Sequence, residues 1–167
     1  MQIFPWQGVG KLTFGMPPSE VEAAIGSALE TRDAEAWTIC DYGSQELSCA
    51  SYHLGQLAAI IVAPAIGTTL WDTDLENITQ AEVEMLLEDN GHQFVRRPRI
   101  NPALRDAITA PTAGLFFTFA DGRCDAVDVQ AATLTNLRHM RKYFHESNTD
   151  EAIVKSLDDM LVAIGKA

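Results

Sequence analysis

The sequence predicts an α+β fold: two tandem helix-plus-antiparallel-sheet units followed by a C-terminal helical pair. Three observations carry that expectation. Two helix-start segments share a Glu-Val-Glu, at Glu20, Val21, Glu22 and at Glu82, Val83, Glu84. Each is followed by strand-like segments that end in a glycine hairpin, and the two hairpins align in sequence. The chain after Ala131 then switches to helical periodicity.

The first helix is expected in FGMPPSEVEAAIG, residues 14–26. Pro17 and Pro18 suit the entry and first turn, where a missing N–H costs nothing. Glu20 and Glu22 favour the positive end, and Gly26 reads as a left-handed stop. Strands are expected over residues 36–41, 46–53 and 57–63, the last two joined by a tight Leu54-Gly55-Gln56 turn. WDTDLE, residues 71–76, reads as the connection between the units. The second helix lies in NITQAEVEMLLEDNG, residues 77–91, with a Thr79/Glu82 capping box, an Ile78/Val83 staple and an Asn90-Gly91 close. His92, just beyond, reads as a partner for the negative end of that helix.

Strands are expected next over residues 93–96, 114–120 and 123–130, with Asp121-Gly122 as a strong hairpin signal. Tyr52, Gly55, Leu57, Ile60 and Val62 match Phe119, Gly122, Cys124, Val127 and Val129 at one constant offset, which reads as an internal duplication. Residues 96–114, with three prolines, read as a long connection. Leu134, Leu137, Met140, Arg141 and Phe144 trace one helical face. Asn148 with Glu151 looks like a capping box for a last helix through Ile153, Leu157, Leu161 and Ile164. The expected divisions are residues 1–70, 71–130 and 131–167.

Composition narrows the function. The chain is 47% hydrophobic and 21% charged, as an ordinary globular protein is. It has no apolar run long enough to span a membrane and no secretory leader pattern at MQIFPWQGVGK, so a cytoplasmic protein is expected. Cys40, Cys49 and Cys124 lack metal-site spacing and read as buried thiols, although a Cys40–Cys49 disulfide is open to a protein outside the cytosol. The net charge is −11, and residues 17–91 hold fourteen acids against one base, Arg32. Such a surface disfavours nucleic acid and attracts a basic protein.

The string FGMPPSEVEAAIG resembles the FGM-x-x-x-x-V-x-x-x-x-G helix start of the secreted β-lactamase inhibitor protein family, whose single unit is related to outer-membrane assembly lipoproteins of the BamE type. The resemblance covers residues 14–26; the second copy has Asn77-Ile78-Thr79 in place of the Gly-Met pair. It implies a tandem repeat whose sheets form a concave face that clasps a protein. The extra C-terminal helices and the missing leader depart from that family and fit a bacterial immunity protein better.

No catalytic constellation is legible. GVGK, residues 8–11, lacks the rest of a phosphate loop, there is no GxSxG elbow, and His53, His92, His139 and His145 have no paired metal spacing. The carboxylate pairs fall on what read as solvated helix faces. The chain is therefore expected to be a binding protein rather than an enzyme, with no cofactor. Interface candidates are aromatics mixed with acids: Trp71, Asp72, Asp74 and Glu76 in the connection, and Trp37, Asp41, Tyr42, Glu46 and Tyr52 in the first sheet. Trp71 is equally readable as a plug between the units. Trp6, Phe116, Phe117 and Phe119 read as core. The expected function is an antitoxin-like immunity protein that occludes a basic toxin or effector domain. The alternatives are a chaperone or adaptor for a secreted effector and a small enzyme.

Overall fold

The computed structural model describes residues 1–43, 47–97, 105–146 and 151–165, with the side chains of 139 and 143–146 excepted. Two antiparallel-dominated sheets and four helices make a mixed α+β molecule. The small sheet joins β1 (Gln2–Phe4), β2 (Gly8–Val9), β3 (Leu12–Thr13), β8 (Thr69–Leu70) and β9 (Thr73–Asp74). The large sheet has eight strands: β4 (Glu30–Ala34), β5 (Trp37–Asp41), β6 (Leu47–His53), β7 (Gln56–Val62), β10 (Val95–Arg97), β11 (Asp106–Ala110), β12 (Leu115–Ala120) and β13 (Arg123–Gln130). The helices are α1 (Pro18–Ile25), α2 (Gln80–Asp89), α3 (Leu134–Glu146) and α4 (Glu151–Gly165).

The strand order of the large sheet is β10-β11-β12-β13-β7-β6-β5-β4. A helix followed by a four-stranded meander therefore occurs twice, and the last strands of the two meanders meet antiparallel at the centre. The central register pairs Val127 with Val62 and Val129 with Ile60. Both hairpins turn through consecutive positive-φ residues, Leu54 (51°) and Gly55 (77°) in one, Asp121 (51°) and Gly122 (76°) in the other. That is the turn geometry whose twist matches the flanking strands. One helix-entry bond also recurs: Leu57 N–H donates to the Met16 carbonyl at 2.9 Å, and Cys124 N–H donates to the Ile78 carbonyl at 2.9 Å.

Both early helices sit where the sequence places them. Pro17 is the N-cap of α1 with Pro18 at its first position, and Gly26 closes it at φ 91°. Around α2 the Thr79/Glu82 capping box forms in both directions. Ile78 and Val83 lie in the same buried cluster. Val21, Val83, Leu86 and Leu87 pack on one face of the large sheet, against Tyr52, Ile60, Val62, Phe117, Val127 and Val129. Ile3, Val9, Leu12 and Leu70 of the small sheet complete that core.

Several expectations are corrected. The supposed connection over residues 96–114 holds a strand, β11, whose Ile108 and Ala110 are buried; Pro98 to Leu104 lie outside the described residues, as does Asn148. WDTDLE is not a free connection, because residues 69–74 form the β8–β9 hairpin and β8 pairs parallel with β1. The edge strand β4, ETRDA, was invisible because every residue in it is exposed and no apolar alternation marks it. Cys40 and Cys49 are both free. Cys49 pairs with Asp41, next to Cys40, so the pleat points the two thiols to opposite faces and no disulfide can join them. Trp6 is half-buried rather than fully plugged into the core. Its indole N–H donates to the Thr112 carbonyl at 2.8 Å, and its ring occupies the space a Cβ on Gly114 would need, 2.7 Å away.

Candidate partner-binding face

Alternation along each strand gives the large sheet a near face, packed by α1, α2 and the small sheet, and a far face. One row of paired residues crosses all eight strands on the far face: Glu30, Asp41, Cys49, Ile61, Asp128, Phe116, Thr109 and Val95. A second row runs Arg32, Ile39, Ser51, Ala59 and Gln130. A third holds Ala34, Trp37, His53 and Gln56. Over β10–β13 this face is roofed: Phe116 and Val95 pack with Leu137 and Met140 of α3 and Ile153 and Leu157 of α4. Over β4–β7 no described element covers it, and Trp37, Ile39, Asp41, Cys49, Ser51, His53, Ala59 and Ile61 are all partly exposed.

The chemistry of the open half is acidic and aromatic. Trp37 and His53 make a tilted pair with ring centroids 4.9 Å apart. On the same face, two rows along, lie Glu30 and Asp41, with Arg32 beside Glu30 at 3.8 Å; Glu35 is exposed in the β4–β5 turn, and Asp33, paired with Thr38, turns to the other face. Asp41 accepts the Gly43 N–H at 2.9 Å through one oxygen. The Cys49 thiol is pushed up, chiefly by burial and further by Asp41, Cys40 and Asp128, so it stays a neutral thiol. Asp128, at the boundary between open and roofed halves, has its carboxyl raised to about 6 by burial, with the Gln130 side chain opposing. Gln130 donates to one oxygen at 3.1 Å, and the other oxygen is enclosed without a hydrogen-bond partner.

The structure divides the interface candidates. Trp37 and Asp41 lie together on the open far face. Tyr52 is fully buried on the near face, and Tyr42, half-buried, meets its hydroxyl at 3.4 Å. Burial raises both phenols. Alternation turns Tyr52 inward, away from any partner, while Tyr42 stays half-exposed. Glu46 lies outside the described residues. Trp71, Asp72, Asp74 and Glu76 belong to the other sheet. Trp71 and Asp72 form the β8–β9 turn at φ 47° and 62°, and Trp71 stacks on His92 with centroids 5.1 Å apart. Asp74 accepts the Glu76 N–H at 2.8 Å, and both acids border a groove of about 420 Å³ with Thr79, Glu82 and Arg123. His92 is not a cationic helix partner: burial lowers its pKa, and its Nδ1 lies 3.3 Å from the Thr112 hydroxyl. Glu84 is likewise not solvated, since Arg96 pairs with it at 2.5 Å.

Sequence reasoning missed His53, Ile39, Ile61 and Asp128 as members of one face. The signal was present in the alternation of residues 47–53 and in Asp128 standing between Val127 and Val129. Reading it required the strand order, which joins distant segments. Among the described residues no three His, Cys, Asp or Glu side chains are grouped to hold a metal, and no helix is long and apolar enough to cross a membrane.

No protein-family model matches the chain, and no curated protein does. Among solved structures, a cysteine-rich secretory protein of Staphylococcus aureus is similar at 8% identity and a TM-score of 0.44 over 70% of this chain. The chain spans 44% of that protein's length, and a likeness this faint carries no argument about fold or role.

Proposed function

We propose that the chain is a cytoplasmic, antitoxin-like immunity protein that binds a basic bacterial toxin or effector domain and occludes its active surface. The observation that carries this reading is the uncovered far face of β4–β7, where the Trp37–His53 pair shares one exposed surface with Glu30 and Asp41. An aromatic anchor on an acidic face is what a tight interface with a basic protein uses, and the acidic field of residues 17–91 would steer such a partner to it. The acidic turn at Trp71, Asp72, Asp74 and Glu76 is a second contact on the other sheet. In this reading the two helix-plus-meander halves are tandem copies of one unit. The matched hairpin turns, the shared helix-entry bond and a central register that maps onto itself when the copies are exchanged support it.

The test is capture by the tagged chain from its native lysate at low and high salt, with mass-spectrometric identification and coexpression of the captured protein. A basic protein whose toxicity the chain suppresses, and whose capture Trp37→Ala together with Asp41→Asn weakens at least tenfold, supports the reading. Capture that ignores both substitutions, or a client whose activity survives binding, sinks it; the latter outcome describes a chaperone or adaptor. Association should slow with salt far more than dissociation quickens.

A further inference from the structure

The roof over β10–β13 is built differently from the core beneath α1 and α2. Its buried apolar residues, Leu137, Met140, Ile153 and Leu157, form a cluster separate from the main one. The pair is anchored at its first turn. The Asn136 side chain donates to the carbonyls of Ala58, at 3.2 Å, and Ala131, at 3.0 Å, and Asn136 N–H donates to the Thr133 hydroxyl at 3.1 Å. Away from that anchor the roof rests on Phe116 and Val95, and Phe116 is paired side by side with Asp128 on the central strand.

Asp128 is an unfavourable group to enclose. Its neighbours along the row, Ile61 and Phe116, are apolar. On its own strand Gln130 satisfies one oxygen and leaves the other without a partner. Along this row the next titratable groups are Cys49 and then Asp41, neither of them a cation; elsewhere on the open half stand Arg32, held beside Glu30, and His53, paired with Trp37. One row away, Arg105 pairs with Asp125, and Arg97 stands beside Ala107. From the helices, Arg141 is held by Asp158, and Arg138, Lys142, Glu151, Lys155 and Asp159 are exposed. Asp128 is half-buried with one oxygen enclosed, and a carboxylate so placed without a counter-charge favours whichever arrangement lets that oxygen reach water.

We propose that α3 and α4 form a hinged cover, anchored at Asn136, that seats over the far face of β10–β13 and is loosened by ionisation of Asp128. Opening bares Phe116 and Val95 and extends the open face across the whole sheet. The closed state holds the carboxyl raised and the open state returns it to its ordinary value, so rising pH favours opening up to about 6 and has little further effect above it. The cover does not depend on what partner the protein binds.

Hydrogen–deuterium exchange on the full chain at pH 4.5 and pH 7, corrected for intrinsic rates, tests this. Amides of α3 and α4 should open independently of β6, β7 and β12, and their opening should rise on the order of tenfold between the two pH values. Asp128→Asn should slow that opening at pH 7 and flatten its pH dependence. Leu157→Ala should speed it at both pH values while the strands keep their protection. Helices that exchange only together with the strands overturn the cover. An unchanged pH profile in Asp128→Asn removes the control by that carboxyl.

Discussion

On its far face, the β4–β7 meander carries Trp37, Ile39, Asp41 and His53 with no described helix over them, whereas the β10–β13 meander sets Phe116 and Val95, themselves half-buried, against two helices. On the near face the two meanders do the same job. Tyr52, Leu57, Ile60 and Val62 in one, and Phe119, Cys124, Val127 and Val129 in the other, are all buried in one continuous core. The contrast teaches that the near face answers to folding, where any well-filled apolar layer serves, while the far face is free to differ between the halves. One half is left open, with acids and an aromatic pair on one surface, and the other is covered by α3 and α4. Phe116 and Val95 find apolar cover in the two helices, while the open half mixes small and polar residues such as Cys49, Ser51 and Asp41 with its apolar ones.

Substitutions can break this comparison. The largest effect is expected in the near-face core: Phe117→Ala should lower stability by about 3–5 kcal/mol in denaturant titration. The first half carries only Ala50 at the matching position, so its layer is filled from elsewhere. A small loss for Phe117→Ala would mean that this layer too is filled from elsewhere and the two cores are packed alike.

The boundary residue comes next. Because its carboxyl is raised, Asp128 costs no stability below its ordinary range, and the cost grows as pH rises to about 6 and stays in full above it. Asp128→Asn should therefore gain about 1–3 kcal/mol at pH 7 and nothing at pH 3. Thermal melts across that range read the difference. A gain that persists at pH 3 would place its cause in something other than the carboxylate.

The two early helices differ in their caps. Thr79→Ala should cost about 1 kcal/mol by breaking both bonds of the α2 capping box. The α1 entry, with Pro17 as N-cap and no side-chain cap, has none to lose, and a Pro17→Ser variant should be neutral or slightly stabilising in the same melts.

The smallest effects sharpen the likeness of the halves. Gly55→Ala and Gly122→Ala place a side chain in open space at φ 77° and 76°, so each should cost about 1 kcal/mol and the two should agree. A large difference between them would show that the matching turns bear unequal loads.

The α2 capping box, the proline-led α1, both hairpins and the helical tail were legible because each is a local signal: a cap, a turn dipeptide, a periodicity. Strand β4 was not legible because it is wholly exposed, and β11 was masked by flanking prolines. The Trp71 and Trp37 groups, both read as interface candidates, lie on different sheets, since strand order is set by pairings between segments far apart. Tyr52 looked available until its register with Leu57 turned it into the core. The sequence by itself determined the α+β class, the helix ends and the hairpin turns, through forces acting within a few residues. Only the tertiary structure decided which face stays open, where Asp128 loses its water, and what the C-terminal helices cover. Those outcomes depend on burial, and burial is a property of what packs on a residue from elsewhere in the chain.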